Sequence, residues 1–157
     1  RSFDKLCDKV ALPSVFILVT HLSEKAILRS KAGLYTDFEV MRGLTEEHKA
    51  KYFNKVENGW QAKAHIHSKI KFAGNNLLAM NVHEKFHVIF CRNVLIYHKV
   101  EIKRKIVEEL LARLHPNGGL MLGVGETLLG ITDAVEAVNI GNVCFYRKKS
   151  GITKLAA

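Results

Sequence analysis

The stretch that starts at Phe86 constrains the fold more than any other part of this chain. Its centre, Val88–Phe90, is a short apolar run of the kind that forms a strand buried on both faces of a sheet. The polar segment Cys91–Asn93 ends that run. Ligands of open α/β sheets bind beyond the carboxyl ends of the strands. The pattern therefore predicts a buried strand with a candidate binding site at its end.

Strand and helix patterns alternate through most of the chain. An amphipathic helix is predicted over Glu101–Leu114, because apolar side chains recur there at steps of three and four. A hairpin is predicted around Gly141–Asn142, since apolar segments flank this turn-forming pair. The other predicted elements are helix Phe3–Leu12, strand Val15–Val19, a helix capped by Ser23 that stops near Gly33, and strand Leu120–Leu122. This order predicts an α/β fold with a mixed sheet.

The segment Leu34–Phe72 has a different character. Thr45 stands where a helix cap would, and Asn58–Gly59 is a turn signal. Apolar and polar residues alternate over Trp60–His67 and again over Lys69–Phe72, which is typical of half-buried strands. We expect a helix and a short antiparallel piece that project from the main sheet.

The charge balance bounds the partners. Lysine and arginine outnumber aspartate and glutamate by 24 to 15, and the net charge of +9 favours acidic partners, such as nucleic acid or an acidic protein surface. However, no compact nucleic-acid motif is present, and the aromatic residues do not interleave with the basic ones. No apolar run reaches the roughly 18 residues of a membrane span. We therefore expect neither a nucleic-acid partner nor membrane insertion.

Cysteine and histidine are the residue types that could carry further chemistry. The three cysteines are scattered, which argues against a disulfide framework and predicts a reducing, cytoplasmic setting. Cys91 is either a thiol nucleophile or a small packed residue at a strand end. His65 and His67 would share one face of a strand, as metal ligands or as a solvated polar face. No third ligand stands at a convincing spacing, so no metal site is predicted.

Six segments together resemble the chemotaxis receptor methyltransferases, which use S-adenosylmethionine (SAM) to esterify glutamates on chemoreceptor helices. In chain order they are Val15–Tyr35, Arg42–Phe53, Asn76–Leu78, Phe86–Tyr97, Leu114–Glu126 and Val143–Lys148. Ordered matches at compatible spacings are more specific than any one of them alone.

The resemblance implies a fold and an activity. The expected fold is a Rossmann-like methyltransferase sheet with a terminal antiparallel hairpin, in a single domain over 1–157 with 34–72 as a small inserted subdomain. The expected cofactor is SAM, with S-adenosylhomocysteine as product, and the expected reaction is methyl transfer to receptor glutamates. The implied partners are the cytoplasmic helices or C-terminal tails of chemoreceptors, and the subdomain would bind tails by strand addition.

The resemblance also implies site residues. The cofactor-binding residues are His21, Asn76, Leu77, Cys91, Arg92 and Asn93, and the catalytic residues are Tyr97 and Arg92. From the residues alone, Asn76 fits turn chemistry equally well, and Tyr97 fits a half-buried core aromatic. Glu126 matches a position that is commonly acidic in the family, and a loop or helix-cap carboxylate explains it as well.

Three departures bear on activity. The family's first strand and its glycine-rich SAM loop have no counterpart, so we expect an unpaired sheet edge, which a second copy of the chain would be able to pair. His21 stands where the family has an aspartate that accepts from both ribose hydroxyls. His87 and His98 also replace acidic or aromatic positions. The sequence thus leaves two alternatives, an enzyme with impaired or incomplete activity and a non-catalytic module that binds receptor or partner proteins.

Overall fold

The computed structural model describes residues 15–141 and 143–149, and the helix predicted over Phe3–Leu12 lies outside them. The chain divides into two compact units, Arg1–Asn75 and Asn76–Ala157. The strands of the first unit are β1 (Ile17–His21), β2 (Leu34–Tyr35), β3 (Phe53–Val56), β4 (Gly59–Ala62) and β5 (Ile70–Gly74), and its helices are α1 (Glu24–Ala32), α2 (Asp37–Met41), α3 (Glu46–Tyr52) and α4 (Ala64–His67). The second unit contains β6 (Phe86–Cys91), α5 (Val100–Arg113), β7 (Leu114–Leu122), β8 (Val135–Ile140) and β9 (Val143–Lys148).

Helix α1 begins and ends where its sequence predicts. The hydroxyl of Ser23 accepts a hydrogen bond from the backbone N–H of Ala26, so it satisfies one of the donors that the first turn leaves free. Gly33 closes the helix at φ 64°, a left-handed conformation that glycine adopts without steric cost. The predicted cap and stop of this helix are confirmed, and the chain then enters the segment that was predicted to form a small inserted subdomain.

That segment contains a three-stranded antiparallel sheet in the order β2-β4-β3. Thr45 caps α3 as predicted, since its hydroxyl accepts from the N–H of His48 at 3.2 Å. Helix α2 was not predicted. Thr36 and Glu39 form a reciprocal capping box at its start, and their T-x-x-E spacing is the sequence signal that would have revealed it.

Two strand predictions in this region are wrong. His65 and His67 lie on helix α4, not on a strand, because the chain leaves β4 at Lys63 and makes one helical turn before β5. Ile70 and Phe72 belong to β5, which pairs in parallel with β1 and does not join the antiparallel sheet. Alternation over so few residues does not distinguish a helical turn from a strand, nor does it identify the partner strand.

The second unit contains a four-stranded mixed sheet in the order β6-β7-β9-β8. Strand β6 runs parallel to β7, and β9 lies between β7 and β8, antiparallel to both. The predicted terminal hairpin is therefore confirmed. Strand β7 starts earlier than predicted, because Leu114 pairs with Phe86 before the register shifts and Gly119 pairs with Val88. The α/β fold class predicted from the sequence is confirmed by these parallel strand pairs and their helices.

The core of the second unit lies on the apolar face of α5. Ile106 and Val107 are 1% and 0% exposed, and Leu110 and Leu111 are also buried. They cluster with side chains of β6, β7 and the segments that follow these strands, namely Cys91, Leu95, Leu114, Leu120, Leu128 and Val135. This cluster orients the two parallel strands whose carboxyl ends carry the predicted site.

Strand β6 is not buried on both faces, as its apolar run had predicted. Val88 and Phe90 are 52% and 67% exposed, on alternate positions of the strand. Within the described residues, β6 is the edge of its sheet and pairs only with β7. Its outer backbone groups are therefore available to a further strand. Self-association through such an edge stays a prediction.

Helix length bears on the expectation of no membrane insertion. The longest helix in the described part of the chain has 14 residues and is amphipathic. None of the described helices has the length and apolarity needed to cross a membrane.

Replacing Leu120 with alanine tests the core. Leu120 is 0% exposed, so removing its side-chain methyl groups leaves a cavity, and we expect the free energy of unfolding to fall by about 2–5 kcal/mol. Urea denaturation followed by circular dichroism measures this. The control is Val124→Ala, since Val124 is 98% exposed and its truncation should change stability by less than about 0.5 kcal/mol. Similar midpoints for the two variants would contradict the assigned core.

Candidate functional site

The turn after β6 is the most tightly organised part of the predicted site. Asn93 adopts φ 58°, in the left-handed region that is uncommon for residues other than glycine. Val94 follows, and Leu95–Tyr97 forms a single 3₁₀ turn. The carboxylate of Glu126 binds the backbone of this turn, so the turn is held by a residue that follows the next strand, β7.

Five backbone N–H groups of the described residues donate hydrogen bonds to Glu126. Its Oε1 atom accepts from Val94 at 2.9 Å, Leu95 at 2.7 Å and Ile96 at 3.3 Å. Its Oε2 atom accepts from Asn93 and from Gly123, each at 2.7 Å. We call this arrangement the carboxylate nest. The backbone N–H of Asn93, a predicted cofactor-binding residue, is therefore already engaged.

The nest stabilises the charged form of Glu126. Partial burial alone would raise its pKa, but hydrogen bonds from the N–H groups of Gly123, Asn93, Ile96 and Val94 outweigh burial and hold the pKa below its ordinary value. Glu126 therefore remains ionised throughout the neutral pH range. Its negative charge compensates the N–H dipoles that converge on it.

The polar residues that accompany this turn are exposed, and the side-chain oxygen of Asn93 lies over Gly123. Arg92 and Asn93 are exposed at the carboxyl end of β6. Neither side chain forms a hydrogen bond or ion pair with another described residue, so both are available to a ligand. Tyr97 is 78% exposed, which is far more than the half-buried core aromatic that was the alternative for this residue.

Cys91 is the last residue of β6 and is 5% exposed. Burial raises the pKa of its thiol to about 11, and the nearby negative charge of Glu126 adds to this effect. The thiol is thus protonated at neutral pH, whereas a nucleophilic cysteine needs the thiolate. The geometry favours the packed residue over the nucleophile.

Asn76 and Leu77 form a local turn in the second unit. The side-chain oxygen of Asn76 accepts from the N–H of Leu78 at 2.9 Å, and its backbone oxygen accepts from Ala79 at 3.0 Å. Leu77 packs against the core cluster of the same unit. Asn76 thus uses its oxygen for turn chemistry, and its amide N–H₂ group is the part that remains for a ligand.

His21 ends β1 in the first unit and is exposed. Its Nδ1 atom accepts from the backbone N–H of Ser23 at 2.9 Å. A neutral imidazole that accepts at Nδ1 carries its proton on Nε2. The exposed edge of this ring is therefore a donor and offers no acceptor to a hydroxyl group.

Two cavities among the described residues of the first unit have no predicted site residue in their lining. One of about 410 Å³ is lined by Lys31, Ala32, Asn54, Gln61, Ala62, Ala64 and His67. The other, of about 370 Å³, is lined by Leu22, Glu24, Ile27, Leu28, Lys31, Phe72 and Gly74. In the described part of the chain, no group of three or more histidine, cysteine, aspartate or glutamate side chains is arranged to hold a metal ion.

The role of Glu126 in the nest is the feature that sequence reasoning missed. A loop or helix-cap carboxylate was an equal explanation for this residue, because no local pattern indicates which backbone a carboxylate will bind. One sequence feature could have indicated it. Glu126 lies in a glycine-containing turn, Gly123–Glu126, and this turn directly follows β7, the strand that pairs with β6.

The fold has a counterpart among methyltransferases of known structure. N-methyltransferase NodS from Bradyrhizobium japonicum superposes on 85% of this chain, and on 74% of its own, with a TM-score of 0.51 and 15% sequence identity. At this identity the likeness concerns the fold alone, and it shows that the chain shares an α/β fold with that enzyme.

Sequence comparison identifies the family. The family model described as "CheR methyltransferase, SAM binding domain" matches residues 3–144, and the chain belongs to this family. Chemotaxis protein methyltransferase 1 of Vibrio cholerae is 35% identical over 140 residues, 88% of this chain and 51% of that protein. Chemotaxis protein methyltransferase 1 of Pseudomonas aeruginosa is 37% identical over 137 residues, 86% of this chain and 50% of that protein. The chain thus spans about half the length of these curated relatives.

Alkylation of the cysteines tests the environment of Cys91. Because its thiol is buried and its pKa is raised to about 11, we expect iodoacetamide to modify Cys91 much more slowly than the exposed Cys144 at neutral pH. The rate at Cys91 should increase with each step of pH toward its pKa, as the thiolate fraction grows. Peptide-resolved mass spectrometry measures both rates on one folded sample. Equal rates at neutral pH would contradict the burial described here.

Proposed function

We propose that this chain binds SAM at the carboxyl end of β6 and supports methyl transfer to glutamate carboxylates of chemoreceptors. The observation that carries the proposal is the turn after β6, which leaves the side chains of Arg92 and Asn93 without partners among the described residues. The carboxyl edge of a parallel strand pair is where α/β proteins bind nucleotides. Family membership supports the choice of cofactor and of substrate.

The residues at this edge fit the groups of the cofactor. A guanidinium matches a carboxylate in charge and geometry, so Arg92 suits the methionine carboxylate. The amide groups of Asn93 and Asn76 suit the polar edges of ribose and adenine. When bound, the cofactor supplies a methyl group on a sulfonium, which is already a good leaving group.

The chain's own residues then have a limited task. A glutamate side chain with a pKa of about 4.3 is a carboxylate at neutral pH and needs no general base. The protein must orient this carboxylate toward the methyl group and exclude water. The exposed phenol of Tyr97, on the same turn as Arg92, is the group we propose to contact the incoming carboxylate, with Arg92 neutralising its charge.

Titration calorimetry with S-adenosylhomocysteine tests this proposal. We expect the wild-type chain to bind the ligand and Arg92→Ala to bind about tenfold to a hundredfold more weakly, because a charge-assisted hydrogen bond contributes about 1.5–3 kcal/mol. The matched control is Lys105→Ala, which removes an exposed positive charge from α5 and should leave the affinity unchanged. No heat from the wild-type chain at millimolar ligand would refute cofactor binding by this chain.

His21→Asp provides a gain-of-affinity arm in the same experiment. The histidine ring offers no acceptor to ribose hydroxyls, whereas a carboxylate accepts from both. If His21 faces the ribose, as the family resemblance implies, the variant should bind about tenfold to a hundredfold more tightly. His65→Asp repeats the substitution at an exposed position of α4 and is expected to have no effect. Unchanged affinity in His21→Asp would remove this residue from the proposed site.

A second function is favoured by the antiparallel sheet of the first unit. Strand β3 is an edge of that sheet within the described residues, and its segment Asn54–Val56 is exposed. The ammonium group of Lys55 is paired with the carboxylate of Asp37 and lies 5.0 Å from the centre of the Trp60 ring, so recognition of an extended peptide at this edge would depend on main-chain pairing. We propose that β3 binds a C-terminal tail of a chemoreceptor by strand addition, with or without methyl transfer.

Backbone-methylated peptides test strand addition without altering the protein. In an added strand, alternate N–H groups point toward β3 and the others point away. We expect a receptor-tail peptide to lose binding when one alternate set of its amides is N-methylated and to keep it when the other set is methylated. Fluorescence anisotropy of labelled peptides measures both. Equal tolerance of the two sets would exclude main-chain pairing at this edge.

A further inference from the structure

The carboxylate nest provides acceptors for backbone N–H groups that the turn after β6 would otherwise leave unpaired. Four consecutive N–H groups, those of Asn93–Ile96, converge on the two oxygens of one carboxylate. Unpaired N–H groups of this kind are costly once water is excluded. The positive φ of Asn93 adds strain for a residue with a side chain. Glu126 offsets both, because its two oxygens accept all four donors and the N–H of Gly123.

The packing around the carboxylate leaves no room for a side chain at Gly123. A Cβ atom placed on Gly123 would lie 2.8 Å from Oε2 of Glu126, 2.9 Å from the backbone nitrogen of Asn93 and closer still to the side-chain oxygen of Asn93. All three contacts are shorter than real Cβ atoms show, so a side chain at this position would displace the Asn93 side chain, the carboxylate or the turn. The glycine is therefore required by the nest itself.

We infer that Glu126 is a positioning residue for the proposed cofactor site, because its contacts with the backbone of Asn93–Ile96 hold Arg92 and Asn93 where a ligand can engage them. This inference rests on the proposed function and extends it. Glu126 does not touch the cofactor. It acts by keeping the turn in a binding-competent conformation, so losing it reduces the apparent affinity in proportion to the fraction of competent molecules.

Glu126→Gln is the informative variant. Glutamine keeps the shape of the side chain, but one of its two terminal groups is an N–H₂ donor. That N–H₂ group must face either the three N–H groups on Oε1 or the two on Oε2. Because it cannot accept hydrogen bonds, those backbone N–H groups lose their acceptor. The matched control is Glu108→Gln, which makes the same change at an exposed position of α5.

Two measurements on the full chain test the inference. Amide hydrogen exchange followed by NMR should show Asn93–Ile96 protected in the wild type and in Glu108→Gln, and about tenfold less protected in Glu126→Gln. Calorimetry should show S-adenosylhomocysteine binding about tenfold more weakly to Glu126→Gln. Saturating ligand should restore the lost protection, since it selects the ordered turn. If the substitution damaged the structure without affecting the ligand site, ligand would not restore the protection of these amides.

Gly123→Ala is the second variant, in case Glu126→Gln does not fold. It keeps the charge of Glu126 and crowds both the nest and the side chain of Asn93. It should therefore reproduce the weaker binding, and the loss of protection at Asn93–Ile96 is the readout that reports on the nest. Its control is Gly125→Ala, because Gly125 is exposed and a Cβ atom added there would meet no other atom within 4 Å.

The outcomes separate this inference from the proposed function. Wild-type binding with unchanged affinity in Glu126→Gln or Gly123→Ala would overturn the positioning role and leave the proposed function standing. Unprotected amides at Asn93–Ile96 in the wild type would overturn it directly. No binding by the wild type would refute the proposed function, and the positioning role would fall with it, whereas the exchange data would still report whether Glu126 orders the turn.

Discussion

The packing of helix α5 on strands β6 and β7 is the interaction on which the second unit depends. Two parallel strands cannot be joined by a tight turn, so a helical connection has to cross one face of the sheet. Here the apolar side of α5 buries Ile106 and Val107 against that face, together with Leu114 and Leu120. This burial aligns the carboxyl ends of β6 and β7, and the turns that leave those ends carry the polar groups of interest.

Charge and burial differ sharply among the residues at those ends. Cys91 is neutral and buried at the end of β6, Glu126 is ionised and bound by backbone donors, and Arg92 remains exposed. The negative charge of Glu126 is therefore compensated by the protein's own backbone, which leaves a positively charged side chain facing solvent. An edge with this polarity suits an anionic group better than a cation.

Much of the fold could be predicted from the sequence because local signals and packing agreed. The apolar steps of α5, the Ser23 cap with the Gly33 stop, and the hairpin before Val143 all follow from short-range chemistry. The strand β6 was predicted correctly, but its burial on both faces was not, because an apolar run such as Val88–Phe90 does not reveal what covers it. Ile70 was likewise assigned to the wrong sheet, because the partner of a strand is a long-range property.

The candidate site was less predictable than the fold. The resemblance indicated Arg92 as a ligand-binding residue, and its position relative to a cofactor stays a prediction. No local pattern indicated that Glu126 would bind the backbone of the turn after β6, because that contact joins residues from two different strand ends.

The strand pairings imply an order in which the chain folds. Gly119 meets Val88 across one helical connection, whereas Ile70 meets Ile17 only after a considerably longer segment has been closed into a loop. Loop closure costs more entropy as the loop lengthens, and non-local pairing slows folding. The antiparallel sheet within that longer segment forms from a tight hairpin between β3 and β4, and once formed it shortens the effective loop. Folding should thus nucleate on β6–α5–β7 and on this hairpin, with the β1–β5 pair closing last.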